Sequence, residues 1–408
     1  MSDVDIRPFD RVRDMAAVKR IWREVGWVDR QTDHYLDDFL AVGQTLVGTI
    51  DEVAECSVHI VDGTMRLQTV DLPLCAVTAV TTSRIARGRS FARRITAAQL
   101  RAGYDQGAAV AALGMFDQGF YDQLGFGSGA YEHRIAFDPA TLKVSSRVPT
   151  PQRLDVEDYE RMHAAMVHRH KAHGAVSLHP AQMMRAEFGW IEGGFGLGYG
   201  TGATLTHFLF FEPKNENGPY TVSHMVYQND DQLLELLGLL KSLADQVYSV
   251  RLIEPPGIQM MALLDRPFRH RAITAKSDFA ARQWAMSWWQ TRILDVSRCV
   301  SAFAGRGAAV KFQLVLEDPV AEHLDDSGWQ GVAGRYVVEL GEQSSARLGE
   351  QAELPTLSCT VNTFTRLLWG VSSPSALKVT DGLQAPASLL VQLDAMLQLP
   401  TPYTGWDF

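Results

Sequence analysis

Five arginines, Arg84, Arg87, Arg89, Arg93 and Arg94, crowd one short stretch of a 408-residue chain whose formal net charge is −9. They surround Gly88 and Ser90, where a Val- and Thr-rich run from Val77 to Thr82 that reads as a strand gives way to Phe91, Ile95 and Leu100 at helical spacing. A helix N-terminus offers free backbone N–H groups and the positive end of the helix dipole, so an anion suits it. Gly88 lets the backbone come close to that anion. The turn therefore reads either as a pyrophosphate cradle or as a solvated basic loop. A second candidate is Tyr121, in the segment Gly119-Phe120-Tyr121-Asp122-Gln123-Leu124-Gly125-Phe126-Gly127. A phenol with a pKa near ~10 stays neutral at pH 7 and can still protonate a thiolate. The competing reading is a core tyrosine.

These pieces must be positioned by a strand over Val77 to Thr82, a helix from Phe91 through Leu100 and a strand over Ala108 to Leu113. In that order they resemble the acetyl-CoA-binding core of the GNAT N-acetyltransferase superfamily. Its motif is Arg/Gln-x-x-Gly-x-Gly/Ala, and Arg87-Gly88-Arg89-Ser90-Phe91-Ala92 fits it with Ser90 in the place of a glycine. A register starting at Ile85 puts Gly88 on the central glycine but loses the leading Arg/Gln. The resemblance implies that Arg87, Gly88, Arg89, Ser90 and Ala92 hold the pyrophosphate and that Thr81 and Thr82 lie along the pantetheine arm. It further implies that the Val80 amide polarises the thioester carbonyl and that Tyr121 is the general acid.

Features of the whole chain are similar to the enhanced-intracellular-survival (Eis) type. The resemblance implies a mixed αβ (α+β) fold in three parts: a GNAT domain over 1–145, a degenerate GNAT-like domain over 146–288, and a sterol-carrier-protein-like domain over 289–408. In the second part the strand-to-helix turn Gln228-Asn229-Asp230-Asp231-Gln232 has neither glycine nor arginine, so no coenzyme is expected there. The chain ends Gly405-Trp406-Asp407-Phe408. In the Eis type a C-terminal carboxylate enters the first domain's active site, which makes the Phe408 carboxylate the implied base. The family's acceptors are aminoglycosides, other polyamines and protein lysines, and its assembly is a homohexamer. The alternative function is a non-catalytic protein that binds ligands in an apolar groove of the third domain.

Composition limits the remaining classes. Hydrophobic content of 46% and charged content of 21% are ordinary for a soluble globular chain. No apolar run reaches membrane-spanning length, and the first residues lack the basic and apolar regions of a signal peptide, so a cytoplasmic protein is expected. The acidic balance argues against nucleic acid as a partner. Cys56, Cys75, Cys299 and Cys359 form no C-x-x-C and read as buried hydrophobes.

Smaller expectations concern the surroundings of the site. Asp29, Asp33, Asp37 and Asp38 either meet a substrate ammonium or form a solvated acidic loop, and Trp27 reads as core. Val61-Asp62-Gly63 reads as a turn, Tyr131 to Phe137 as the strand closing the first domain, and Arg292 to Val296 as the start of the third. A helix carrying His163, His168, His170 and His173 reads as an exposed face with no metal. Gly194 to Gly200 reads as a flexible connection.

Overall fold

The computed structural model describes residues 4–406. Their contacts form two units. The first comprises the chain up to Ala130, the segment Ala172–Pro180, and everything from Trp288 on; the second comprises Tyr131–Lys171 and Ala181–Ser287.

The first unit opens with strand β1 (Val4–Pro8), helices α1 (Arg11–Val25) and α2 (Leu36–Phe39), and strands β2 (Gln44–Ile50), β3 (Val53–Leu67) and β4 (Val70–Thr82). Helix α3 (Phe91–Asp105), strand β5 (Val110–Gly114), helix α4 (Gln118–Asp122) and strand β6 (Gly127–Ser128) follow. Local chemistry sets the helix ends. Asp10 Oδ1 accepts from the Arg13 amide at 2.9 Å to start α1, and Gly26, at φ 78°, ends it in the left-handed conformation that glycine adopts without a Cβ penalty. One face of α1 buries Val18, Ile21 and Trp22, and one face of α3 buries Phe91, Ile95 and Leu100.

The sheet runs β1-β2-β3-β4-β5, then strand Trp289–Ile293, then β6. The β4–β5 pair is parallel and runs from Leu74↔Val110 to Val77↔Leu113. Beyond it β4 continues to Thr82 without a β5 partner, since β5 ends at Gly114, and a cleft opens beside the unpaired end of β4.

Three sequence expectations change here. Val61-Asp62-Gly63 is not a turn: β3 passes straight through it, with Asp62 opposite Cys75 and Gly63 opposite Leu74. Gly63 is needed for close packing instead, since a Cβ there would lie 2.5 Å from the Ser177 carbonyl of a strand pairing at the edge. Strand Glu132–Phe137 belongs to the second unit's sheet, and Trp289–Ile293 completes the first unit's sheet. Both strands lie beside the boundaries read from sequence, and backbone pairing gives no local sign of which sheet will receive a strand.

The first unit also holds a four-stranded sheet in the order Ser345–Leu348, Gly334–Leu340, Val310–Glu317, Thr356–Thr360. Helices Val361–Leu368, Pro374–Thr380 and Ala387–Met396 accompany it, and Phe312, Leu314, Leu367, Trp369 and Leu393 are fully buried. The segment Ala172–Pro180 and the chain after the last helix are tied into the same unit. The Tyr403 amide donates to the His173 carbonyl at 2.8 Å, the Val176 amide donates to the Thr404 carbonyl at 2.9 Å, and Trp406 is buried. His173 accepts from the Gln68 amide through Nδ1 at 3.0 Å and donates from Nε2 to the Trp369 carbonyl at 3.0 Å. Burial holds its pKa below the ordinary histidine value.

The second unit is a seven-stranded sheet in the order Arg282–Met286, Glu132–Phe137, Val250–Ile253, Tyr220–Val226, Thr204–Pro213, Phe195–Thr201, Gln152–Leu154. Helix Asp230–Ser242 seals one face through Leu233, Leu236, Leu237 and Leu240. The glycine-rich stretch forms strand Phe195–Thr201, with one register shift at Tyr199/Gly200, contrary to the flexible connection expected. Its glycines admit close neighbours: a Cβ on Gly198 would lie 2.7 Å from Phe208 Cβ, and one on Gly196 would lie 2.9 Å from Leu154 Cβ. The histidine-bearing helix is Tyr159–Val167, so it carries His163 alone, and His168 and His170 follow its end. Among the described residues, no group of three or more His, Cys, Asp or Glu side chains can hold a metal ion. No helix among them is long and apolar enough to cross a membrane.

Candidate active site

The cleft beside the unpaired end of β4 has a volume of about 630 Å³. Val80, Thr81 and Thr82 from the end of β4 line it, with Arg87, Gly88, Ser90, Phe91 and Ala92 from the turn into α3. Seven of the eight cofactor-site residues read from the sequence therefore surround one cleft; Arg89 is exposed and does not line it. Ser57 Oγ lies 2.7 Å from Thr81 Oγ1 and fixes that buried hydroxyl from behind.

The basic turn has the shape an anion requires. Gly88 (φ 77°) and Ser90 (φ 60°) both adopt left-handed backbone, and a Cβ on Gly88 would meet nothing within 4 Å. Ser90 is the N-cap of α3, yet its side chain makes no capping bond, so the N–H groups of the first helical turn are left to a ligand. The same φ explains why glycine is usual in this place: a side chain in left-handed backbone costs roughly 1–2 kcal/mol. Arg84 has another use. Its amide donates to Glu24 Oε2 and its Nη2 to the Glu24 carbonyl, both at 3.2 Å, which ties the turn to α1.

Aromatic residues form much of the remaining wall. Trp27, expected in the core, is 46% exposed and lines the cleft. It follows the helix-ending Gly26 and packs edge-on against Trp22 at 5.0 Å. Phe116 and Phe120 also line the cleft, and the Arg93 guanidinium lies 5.9 Å above the Phe120 ring. No sequence signal marked Phe116, an aromatic in a loop.

Tyr121 sits behind this wall. Its ring packs edge-on against Phe120 at 4.9 Å and Phe116 at 5.6 Å, and the residue is almost fully buried. Burial pushes the phenol pKa well above its ordinary value, with the nearby Asp117 carboxylate adding to the shift. The proton is thus held through the physiological range, as an acid requires. Phe408, the expected base, lies outside the described residues.

None of the acidic residues of the 29–38 loop lines the cleft, and they are largely spent on structure. Asp29 accepts from the Gln31 and Thr32 amides at 2.8 Å, Asp33 pairs with Arg23, and Asp37 lies 2.6 Å from Lys19 Nζ. Those bonds favour the structural reading of this loop.

A family model described as Acetyltransferase (GNAT) domain matches residues 6–129, the span that builds the cleft, the basic turn and the Tyr121 segment. Residues 6–129 of this chain form a GNAT acetyltransferase domain. That domain is of the acyltransferase type that takes acetyl-CoA as donor, and across its full length the chain has an Eis-type fold. The fold likeness extends to Eis1 from Mycobacterium abscessus, at a TM-score of 0.77 and 17% identity over 99% of this chain and 100% of that one. A probable N-acyltransferase from Enterococcus faecalis V583 gives 0.78 at 17% identity, with both chains fully covered. A GCN5-related N-acetyltransferase from Kribbella flavida gives 0.77 at 17% identity over 100% of this chain and 99% of that one. No curated protein sequence matches the acetyltransferase.

Proposed function

We propose that the protein transfers the acetyl group of acetyl-CoA to a primary amine of a cationic small molecule, aminoglycoside- or polyamine-like, or of a lysine side chain. The observation that carries this reading is the single cleft formed by Val80, Thr81, Thr82, Arg87, Gly88, Ser90 and Ala92, with Tyr121 directly behind its aromatic wall. The uncapped start of α3 and Arg87 hold the pyrophosphate, with Arg89 at its outer edge. The free edge of β4 runs beside the pantetheine arm, and the Val80 amide polarises the thioester carbonyl. Tyr121 gives its proton to the departing thiolate. Phe408 is the proposed acceptor of the amine proton, directly or through water. In this reading the last third of the chain is a sterol-carrier-protein-like domain serving architecture, and the protein is a cytoplasmic homohexamer; a monomer in sedimentation would remove that last element.

The test is thiol release from acetyl-CoA against a panel of aminoglycosides, polyamines and lysine peptides. Tyr121→Phe is expected to lower kcat by roughly 10²-fold with KM for acetyl-CoA unchanged. Arg87→Ala is expected to raise that KM. Failure of wild type to bind acetyl-CoA in calorimetry, together with no release for any amine, refutes the reading.

A further inference from the structure

The helix that carries Tyr121 is too short to hold itself in place. α4 spans Gln118–Asp122, and its N-cap residue Asp117 makes no capping bond. The turn after it closes on itself through three amide bonds: Leu124 to the Tyr121 carbonyl at 2.9 Å, Gly125 to the Asp122 carbonyl at 3.1 Å and Phe126 to the Tyr121 carbonyl at 3.3 Å. These shape the turn but do not anchor it.

The anchors come from far along the chain. Asn362, in the first turn of helix Val361–Leu368, donates from Nδ2 to the Asp122 carbonyl at 2.9 Å and to the Phe126 carbonyl at 2.8 Å. One amide group thereby bridges the two ends of the turn and spends both of its hydrogens doing so. Gln290 Nε2 donates to Asp122 Oδ1 at 2.8 Å, and Arg292 Nη1 donates to the Leu124 carbonyl. The approach is close: a Cβ on Gly127 would lie 2.5 Å from the Asn362 carbonyl. That contact gives the glycine at the end of the aromatic segment a packing reason.

We infer that Asn362 is a positioning residue for the Tyr121 acid, acting by fixing the separation of the Asp122 and Phe126 carbonyls on either side of its turn. The inference rests on the acetyl-transfer reading for the acid's role, and on geometry alone for the clamp. Asn362 lines a neighbouring polar cavity of about 570 Å³, so both carbonyls can take water when its side chain is cut back. Removing the amide therefore loosens the geometry of the turn more than it weakens the fold.

Two variants test this. Asn362→Ala deletes the bridge, and Asn362→Asp keeps its shape while placing a carboxylate oxygen against two carbonyl oxygens. Tyrosine labelled with ¹³C at Cζ gives one resonance for Tyr121, assigned by its loss in Tyr121→Phe. Both Asn362 variants are expected to move that resonance and to leave the thermal midpoint within about 3 °C of wild type. They are also expected to lower kcat by about tenfold with KM for acetyl-CoA unchanged, and to lower it no further in the Tyr121→Phe background. An unmoved Tyr121 resonance overturns the inference. So does a kcat loss of equal size with and without the Tyr121 hydroxyl. The resonance decides the clamp even where no amine is acetylated, so its failure is distinct from failure of the acetyl-transfer reading.

Discussion

Arg292 and Asp318 form an ion pair at 2.7 Å with both side chains fully buried. Arg292 also donates to the Leu124 carbonyl, and its guanidinium lies 5.3 Å from the centre of the Trp329 ring. Asp318 accepts from the Val332 amide at 2.8 Å and the Val320 amide at 3.1 Å. Replacing Arg292 with methionine keeps much of the volume but leaves the Asp318 charge buried without its cation. Breaking a buried pair on one side costs about 3–5 kcal/mol, which is roughly a hundred- to several-thousand-fold in local opening. Arg292→Met combined with Asp318→Asn removes the stranded charge and keeps an acceptor for one of the two amides, which bond different oxygens of Asp318, so it should recover part of that loss. Hydrogen exchange read by mass spectrometry can localise the effect. Peptides covering β5, α4 and Trp289–Ile293 should lose protection in the single variant and regain some in the double, while peptides from helix Asp230–Ser242 in the other unit serve as reference. A loss of less than tenfold in those first-unit peptides, or a double variant worse than the single, refutes the reasoning.

Three further outcomes follow from the same structure. His59 and His224 are buried, and desolvation lowers their pKa to about 3 and about 4; for His224 the Arg169 charge adds to the effect. Their folded values lie below the unfolded one, so stability is complete above pH ~6.5 and falls as the pH drops beneath it, by about 2 kcal/mol per histidine at pH 5. Urea midpoints measured between pH 7 and 5 should show the fall, and His59→Gln should flatten it. Ser90→Gly relieves the left-handed serine at the price of a more flexible unfolded chain, for a net gain of up to about 1 kcal/mol; thermal melts should show it, and KM for acetyl-CoA should fall rather than rise. Trp406→Ala should cost about 3–5 kcal/mol in denaturant titrations, because the ring is buried in the first unit.

The parts legible in the sequence were those carried by local chemistry. The β4–turn–α3–β5 run shows in its apolar periodicity and its arginines, and the cleft gathers the residues read from that run. What escaped depends on partners distant in sequence. Gly63 looked like a turn residue because the strand that crowds it, Val176–Leu178, lies far downstream. Trp27 looked like core because its neighbours are apolar, and its exposure follows from where Gly26 ends α1. Asn362 gave no sign at all: an asparagine near a helix start is ordinary, and its two acceptors are backbone carbonyls more than two hundred residues away.

The late arrival of strand Trp289–Ile293 shapes how this protein can be made. On a ribosome, β1 to β5 emerge early, but β5 waits for its antiparallel neighbour until the whole second unit has been synthesised. During that interval one edge of a mostly apolar sheet stands open, the condition under which nascent chains pair wrongly or recruit chaperones. A fragment cut near residue 145 would carry every residue proposed to bind the coenzyme and still lack that strand, Arg292 and Asn362. It should therefore come out insoluble or with a mispaired β5, and supplying residues 288–408 in trans should rescue it only if that strand can still reach the open edge.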